Sequence, residues 1–529
     1  MKIFAVMFVC VVVVALAGCT PPSETFSAVA GPNGPANLVV EQLRAGPVTM
    51  KFDNGELRYI ESGDGKGRNV ENVRRVYFAV RDQRFDTPTP TFDKITVVRH
   101  ADSFTADLTA RVRHGHVEFA WTGRIEGQRD GTITYTVTGQ AMGDFASPRI
   151  GLNVLLGTKT YAGRTLELVP VGGGNMTEFF PRTPASWNPP RFQAFNSDQR
   201  ANRPYVFGAF AATLDGREFG IEDQRQYGDS SFKAYGYLDL PFPRIARGNQ
   251  ASQTLTLTFP DAKPAVPQPA VVRVTLGEPK DGASIPVIHM AHEAVRTADF
   301  NAARNAKPNA AEVTWGFNPA VHLNDMDTLL ENITAIGEQI AAVRAAASEA
   351  KIHIDPITFQ WTHPRPAPDA RATDNVGAAW CVEMLRQLAL AGADEATFRL
   401  MDRPWEDSPA GDALKVWSGF AERYVLEYTT DSPGRCPVSV LAAHNTRKVR
   451  TIFLVNRTDA VQKVLFEKVD PKQASIVPIQ LGKDAWKTVK QGLIQCRVGA
   501  LQPKGGNVEA HLAPYAVIAF TITQSNIEP

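Results

Sequence analysis

The sequence predicts a multidomain β plus α/β protein: a large N-terminal antiparallel β-sandwich, then a β/α region, then a small C-terminal β-sandwich. Three observations carry this. At 529 residues the chain is too long for one hydrophobic core and suggests about three domains. Its apolar residues recur with period two over 38–259 and again over 435–529, but with helical period in between. A Pro-rich stretch, PDAKPAVPQP at 260–269, sits at the first change of period and marks a linker over 260–270.

The N-terminus comes first in chain order. Lys2 precedes an apolar run from Ile3 to Leu16 that ends in Leu16-Ala17-Gly18-Cys19. A short apolar run closed by small residues reads as a secretory signal, and it falls below the about 20 apolar residues a spanning helix needs. Leu-Ala-Gly-Cys resembles the bacterial lipoprotein cleavage box. The resemblance implies a signal peptide over 1–18, lipidation of Cys19 and membrane attachment through it. With Thr20 rather than Asp after the Cys, it implies an outer-membrane lipoprotein. The Pro/Gly/Ser-rich residues 19–37 read as a flexible tether.

The sandwich over 38–259 rests on strict alternation. Phe104, Ala106, Leu108, Ala110 and Val112 form one series; Val117, Phe119 and Trp121 form a second. Asp130-Gly131 is a hairpin signal between strands. The β/α region is placed at 271–434. It opens on a strand from Val271 to Leu276, with a further strand at Ile285–Met290. Val313, Trp315 and Phe317 make the next strand, and Leu329 to Val343 recur at helical spacing, giving a helix over about 326–349. A strand at Ile352–Ile354, a helix near 376–391 ended by Gly392, a strand at 396–400 and a helix near 411–424 follow. Such alternation implies parallel pairing. The C-terminal sandwich over 435–529 is read from VSVLAA, VRTIFLVN, KVLFEK and YAVIAFTIT.

Function is less legible. Net charge is +1, so no nucleic-acid partner is expected. No Walker, dinucleotide or G-x-S-x-G pattern occurs, and no cofactor is expected. His289 and His292 have the wrong spacing for a zincin, so no metal is expected either. Of five cysteines, Cys381 reads as a buried small hydrophobe, while Cys436 and Cys496 are either a disulfide or two buried thiols. The densest ordered charge lies in the run Phe219–Tyr235, FGIEDQRQYGDSSFKAY. Glu222 and Asp223 are candidate catalytic carboxylates; Arg225, Asp229 and Lys233 suit a hydroxylated or anionic ligand. The same residues also suit an ion-pair network that closes the sandwich onto the β/α region. Asp223 and Arg225, two apart in a β-region, are placed to pair. His322 and Asn318 follow the strand ending at Phe317, as a base and a ligand contact or as ordinary loop residues.

The run Phe219–Tyr235, the run Phe317-Asn318-Pro319-Ala320-Val321-His322, and the set Asp355-Pro356-Ile357-Thr358, Asp369-Ala370-Arg371 and Gly377-Ala378-Ala379-Trp380 together resemble the D-apionate lactonase family. Arg149-Ile150-Gly151 matches as well. The resemblance implies a hydrolase that opens a sugar-acid lactone on a TIM-type barrel, and a sugar-acid or carbohydrate ligand. The sequence also departs from the family. A full barrel takes about 250 residues, so 271–434 reads as a shortened TIM-barrel-like region with the first half reduced. At two family acid positions stand Ala302 and Leu400. A non-catalytic carbohydrate- or envelope-binding lipoprotein is therefore the alternative to the hydrolase.

Overall fold

The computed structural model describes residues 23–31, 34–84, 86–168, 176–184, 203–208, 210–291, 299–320, 323, 325–359, 369–399, 408–418, 424–444, 449–467, 474–479, 502–504 and 507–524. The N-terminal block is a sandwich of a ten-stranded and a seven-stranded antiparallel sheet. The seven-stranded sheet runs, in spatial order, Arg217–Asp223, Ser231–Tyr237, Ile150–Gly157, Asn69–Val80, Glu56–Gly63, Val48–Asp53, Val39–Ala45. Alternate residues of both sheets interdigitate: Phe104, Ala106, Leu108 and Val112 from one meet Leu152, Val154 and Leu156 from the other. The alternation read from the sequence is thus the inward face of the sandwich.

One boundary moves. The residues expected as a tether contribute a strand, Glu24–Val29, paired antiparallel with Thr91–Arg99. Phe26 and Ala28 pack on the sandwich core and Arg99 lies over the Phe26 ring at 5.1 Å, so a short alternating segment is ordered despite its Pro-rich flanks.

The β/α region is a four-stranded parallel sheet in the order Val287–Met290, Glu395–Phe398, Lys351–Ile357, Glu312–Phe317. The first strand in sequence pairs with the last, as in a closed barrel, whereas Val287–Met290 and Glu312–Phe317, consecutive in the chain, are not neighbours. Among the described residues this sheet therefore has four strands, with Val287–Met290 and Glu312–Phe317 at its two edges. The expected long helix is two, Met326–Asn332 and Thr334–Ala346. Asn375–Ala391 is capped by Asp374 and ended by Gly392 at φ 75°, the left-handed position that favours glycine. Ser408 accepts from the Gly411 N–H at the start of Pro409–Ser418.

The C-terminal block is one nine-stranded sheet. Two of its strands, Val272–Ser284 and Tyr424–Thr430, come from residues the sequence assigns to the β/α region. Its central strands are buried on both faces, which explains their unbroken apolar runs. Ile452 and Leu454 join one core, while Phe453 and Val455 join the core shared with Trp380 and Leu385 of the helix Asn375–Ala391.

The sandwich and the β/α region meet through charge. Asp325 caps the helix Met326–Asn332 by accepting from the Thr328 N–H, and receives Arg58 at 2.9 Å and Arg75 at 3.1 Å from the seven-stranded sheet. Burial works against Asp325's charge, but the two guanidiniums outweigh it and hold the carboxyl far below the usual range.

Candidate functional site

The run Phe219–Tyr235 folds as two paired strands joined by a short 3-10 turn, Gln224–Tyr227. Register decides where each charge goes. Ile221 opposes Ala234 and Asp223 opposes Phe232, and these residues face the sandwich core or its margin. Glu222 opposes Lys233 and Gly220 opposes Tyr235, so these face outward. Neighbouring strands extend the outer row, with Asn153 beside Tyr235 and Leu155 beside Lys233.

On the outer face, Glu222 accepts from Lys233 Nζ at 3.0 Å and from Arg149 at 2.9 Å. Gln224 donates to Glu222 at 2.8 Å and accepts from Lys233 at 3.3 Å. The Arg149 guanidinium lies over the rings of Tyr235 and Tyr237, at 5.0 and 5.4 Å. Arg81, Arg149, Asn153, Lys233, Tyr235 and Tyr237 line a cavity of about 10 Å³, room for one water molecule. Burial opposes ionisation of Glu222, yet Lys233 and Arg149 keep its carboxyl well below the ordinary range. For Lys233, burial is the largest effect; Arg81 and Arg149 add to it, Glu222 opposes it, and the ammonium is lowered to about 8. A lysine so placed exchanges a proton near neutral pH.

The inner residues do something else. Arg225 is fully buried and gives the Nε–Nη2 edge of its guanidinium to both oxygens of Asp223, at 2.9 and 2.7 Å. It also donates to the carbonyls of Pro181, Arg182 and Thr183 and to Glu338 at 3.1 Å on the helix Thr334–Ala346. Its own carbonyl accepts from Gln339, which in turn accepts from the Trp315 indole. Arg225 and Asp223, read either as ligand contacts or as part of an ion-pair network, take the second role and form a buried clamp between the sandwich and the β/α region. They pair as expected, but through the cap of a turn rather than as neighbours on one strand face. Asp229 is likewise drawn into the seam, accepting from Asn332 at 2.6 Å. Asn318 donates to Thr358 at 2.7 Å and accepts from the Ala320 N–H, holding its own loop. Gly228, at φ 101°, lets the turn approach that loop: a Cβ there would lie 2.6 Å from the Asn318 oxygen.

Of the predicted site residues, the structure therefore brings Glu222 and Lys233 together. His322, Leu400, Cys19 and Cys496 lie outside the described residues. Arg81, Tyr237 and Asn153 were not read from the sequence; Arg149 was noted only as part of a matching stretch. Near the C-terminal ends of the parallel strands, where barrel enzymes hold their reacting groups, Asp355 meets Arg399 at 3.0 Å and Asp369 meets Arg371 at 2.5 Å. Ala302, at one family acid position, sits in the short helix Phe300–Ala303. Among the described residues, no group of three or more His, Cys, Asp or Glu is placed to hold a metal ion.

Residues 34–262 match the family model described as D-apionate lactonase, N-terminal domain. A D-apionate lactonase of Brucella anthropi is 26% identical over 242 residues, a match covering 44% of this chain and 38% of the relative. The match thus spans well under two thirds of that relative. Among solved structures, a GH51 arabinofuranosidase from Xanthomonas axonopodis pv. citri aligns at 10% identity and TM-score 0.31, covering 45% of this chain and 58% of that one. A Paenibacillus polymyxa xyloglucanase aligns at 9% and 0.28, covering 40% and 47%. Likeness this slight defines neither a shared fold nor a shared activity. The family match, over residues 34–262, contains Arg149, Glu222 and Lys233, and over those residues the chain is similar to the N-terminal domain of the D-apionate lactonases.

Proposed function

We propose that the chain is a hydrolase of a sugar-acid lactone whose reacting group is Lys233 on the outer face of the sandwich. The observation that carries this reading is the lysine itself: buried, lowered to about 8, and beside a water-sized cavity walled by Arg81 and Arg149. The lactone carbonyl sits at the mouth, over Arg149. Water attacks the carbonyl carbon while neutral Lys233 Nζ takes its proton. The guanidiniums stabilise the oxyanion that forms. The ring C–O bond then breaks, and the leaving alkoxide takes the proton back from Lys233. Glu222 positions the amine and Arg149 together. Cys19 with its lipid is the attachment in this reading. In the same reading the lipid places the protein at the outer membrane, with only Thr20-Pro21-Pro22-Ser23 between the anchor and the first strand.

The test is acid release from five-membered sugar-acid lactones by the purified chain. A rate that rises through pH about 8 and is lost in Lys233→Met supports the proposal. A second reading, a non-catalytic carbohydrate- or envelope-binding lipoprotein, is favoured by the strand ends, where Asp355 and Asp369 are each neutralised by an arginine. Absence of lactone opening, with calorimetric binding of the lactone or its acid retained, would establish that reading instead.

A further inference from the structure

A second and much larger space lies away from Lys233. A cleft of about 660 Å³ is walled by the strands Val39–Ala45 and Val48–Asp53, the linker around Ala265–Pro269, and Thr458–Gln462 with Arg435 of the C-terminal block. Ligand sites fall in this size range, and domain junctions are where they form. Its polar groups are already balanced among themselves. Lys51 Nζ lies 2.9 Å from Asp459, 3.3 Å from Glu41 and 3.5 Å from Asp327. Arg99 pairs with Glu24, and Arg435 lies over the Tyr59 ring at 3.9 Å. Glu41 and Asp459 line the cleft, are partly in solvent, and each gives one oxygen to Lys51.

Tyr59 on the cleft wall, and Tyr515 bonded to the wall residue Thr458, hold an unusual backbone state. Tyr59 and Tyr515 have φ of 53° and 49°, a region few non-glycine residues enter. Their hydroxyls reach Glu331 and Asp327, and Tyr515's backbone N–H donates to Thr458 at the cleft wall. Strain of this kind persists where the surroundings over-determine it, and it clusters at ligand sites.

We propose that this cleft binds a neutral oligosaccharide segment. A wall of mutually paired ions offers donors and acceptors but little net charge, so it rewards a ligand dense in hydroxyls and penalises an ion that would break the pairs. The volume admits several sugar units rather than one lactone. Binding here is independent of whether Lys233 turns over a lactone.

The experiment is calorimetric titration of the full chain with cellotetraose, xylotetraose and chitotetraose, alongside tetragalacturonate and fully deacetylated chitotetraose as anionic and cationic comparisons. At least one neutral tetrasaccharide binds, and both Glu41→Ala and Asp459→Ala weaken it about tenfold or more, the loss of one or two charge-assisted hydrogen bonds. Both variants keep the wild-type unfolding midpoint within a few degrees, as expected of half-exposed side chains. Failure of all three neutral sugars at millimolar concentration, preference for either charged oligosaccharide, or neutral binding unaltered in both variants each overturns the proposal.

Discussion

Within the run Phe219–Tyr235, two faces of one hairpin use the same residue types for opposite ends. On the inner margin, Arg225 meets two carboxylates and three carbonyls, and nothing about its charge is left to share. On the outer face, Lys233 shares Glu222 with Arg149 and stands near Arg81. The first arrangement satisfies a cation completely and holds two blocks of the fold together. The second crowds cations around one carboxylate, and the repulsion and burial appear as an easily lost proton. A charged motif is therefore not one site. Completeness of pairing separates the half that clamps the fold from the half whose lysine holds its proton loosely.

The comparison breaks most visibly at Arg225. Arg225→Met takes the guanidinium away from buried Asp223, and loss of one member of a buried pair costs about 3–5 kcal/mol. Chemical denaturation should show this as a lower midpoint. A change under about 1 kcal/mol would mean that Arg225 is no clamp. Lys233→Met sharpens the other half through pH. The folded lysine releases its proton near 8, whereas the unfolded chain holds it to about 10.4. Between those values the unfolded state binds more protons, so wild-type stability rises with pH, on the order of 3 kcal/mol in all. In Lys233→Met that rise should vanish, and stability below pH 8 should not fall. A rise that persists in the variant would reassign the proton to another group.

Glu222→Gln tests the link between the two cations. Glu222's folded carboxyl lies below its unfolded value of about 4.3. Its contribution is therefore complete above that pH and is lost as pH falls through the folded value. The variant should lose about 2 kcal/mol at neutral pH, the worth of charge-assisted hydrogen bonds, and show a shallower acid limb in unfolding curves recorded from pH 6 to 3. The smallest effect belongs to the turn between the faces. Gly228→Ala places a Cβ at φ 101° and 2.6 Å from the Asn318 oxygen, costing about 1–2 kcal/mol from the left-handed backbone alone. Thermal unfolding should register it, with lactone and oligosaccharide binding unchanged. An unaltered melting temperature would show that the turn and the Asn318 loop are not tightly apposed.

Much of this was legible in the residues, and the misses have physical causes. Strict alternation placed the sandwich strands because each has one wet face and one dry face. The same rule, applied one step further, separates Glu222 from Asp223: adjacent residues on a strand point to opposite faces, so the two cannot share a site. Arg81 and Asn153 escaped because they lie far away in the chain, just past the strand Asn69–Val80 and on the strand Ile150–Gly157, and are brought near Lys233 only by strand pairing. The strand Glu24–Val29 escaped because it is short and its Pro- and Gly-rich flanks dominate its composition. The transfer of Val272–Ser284 and Tyr424–Thr430 to the C-terminal sheet escaped because periodicity identifies a strand but not its neighbours.

What the sequence by itself determined is local: where strands and helices lie, which faces are apolar, and which run carries the ordered charge. These follow from period, caps and turn residues, which act over a few positions. Only the tertiary structure decided that Val287–Met290 and Glu312–Phe317 lie at opposite edges of the parallel sheet, that Arg225 is spent on the seam, and that burial beside Arg81 and Arg149 lowers the proton affinity of Lys233. Those outcomes depend on burial and on which charges meet across strands and blocks. Both are set by contacts between residues far apart in the chain, so no local pattern encodes them.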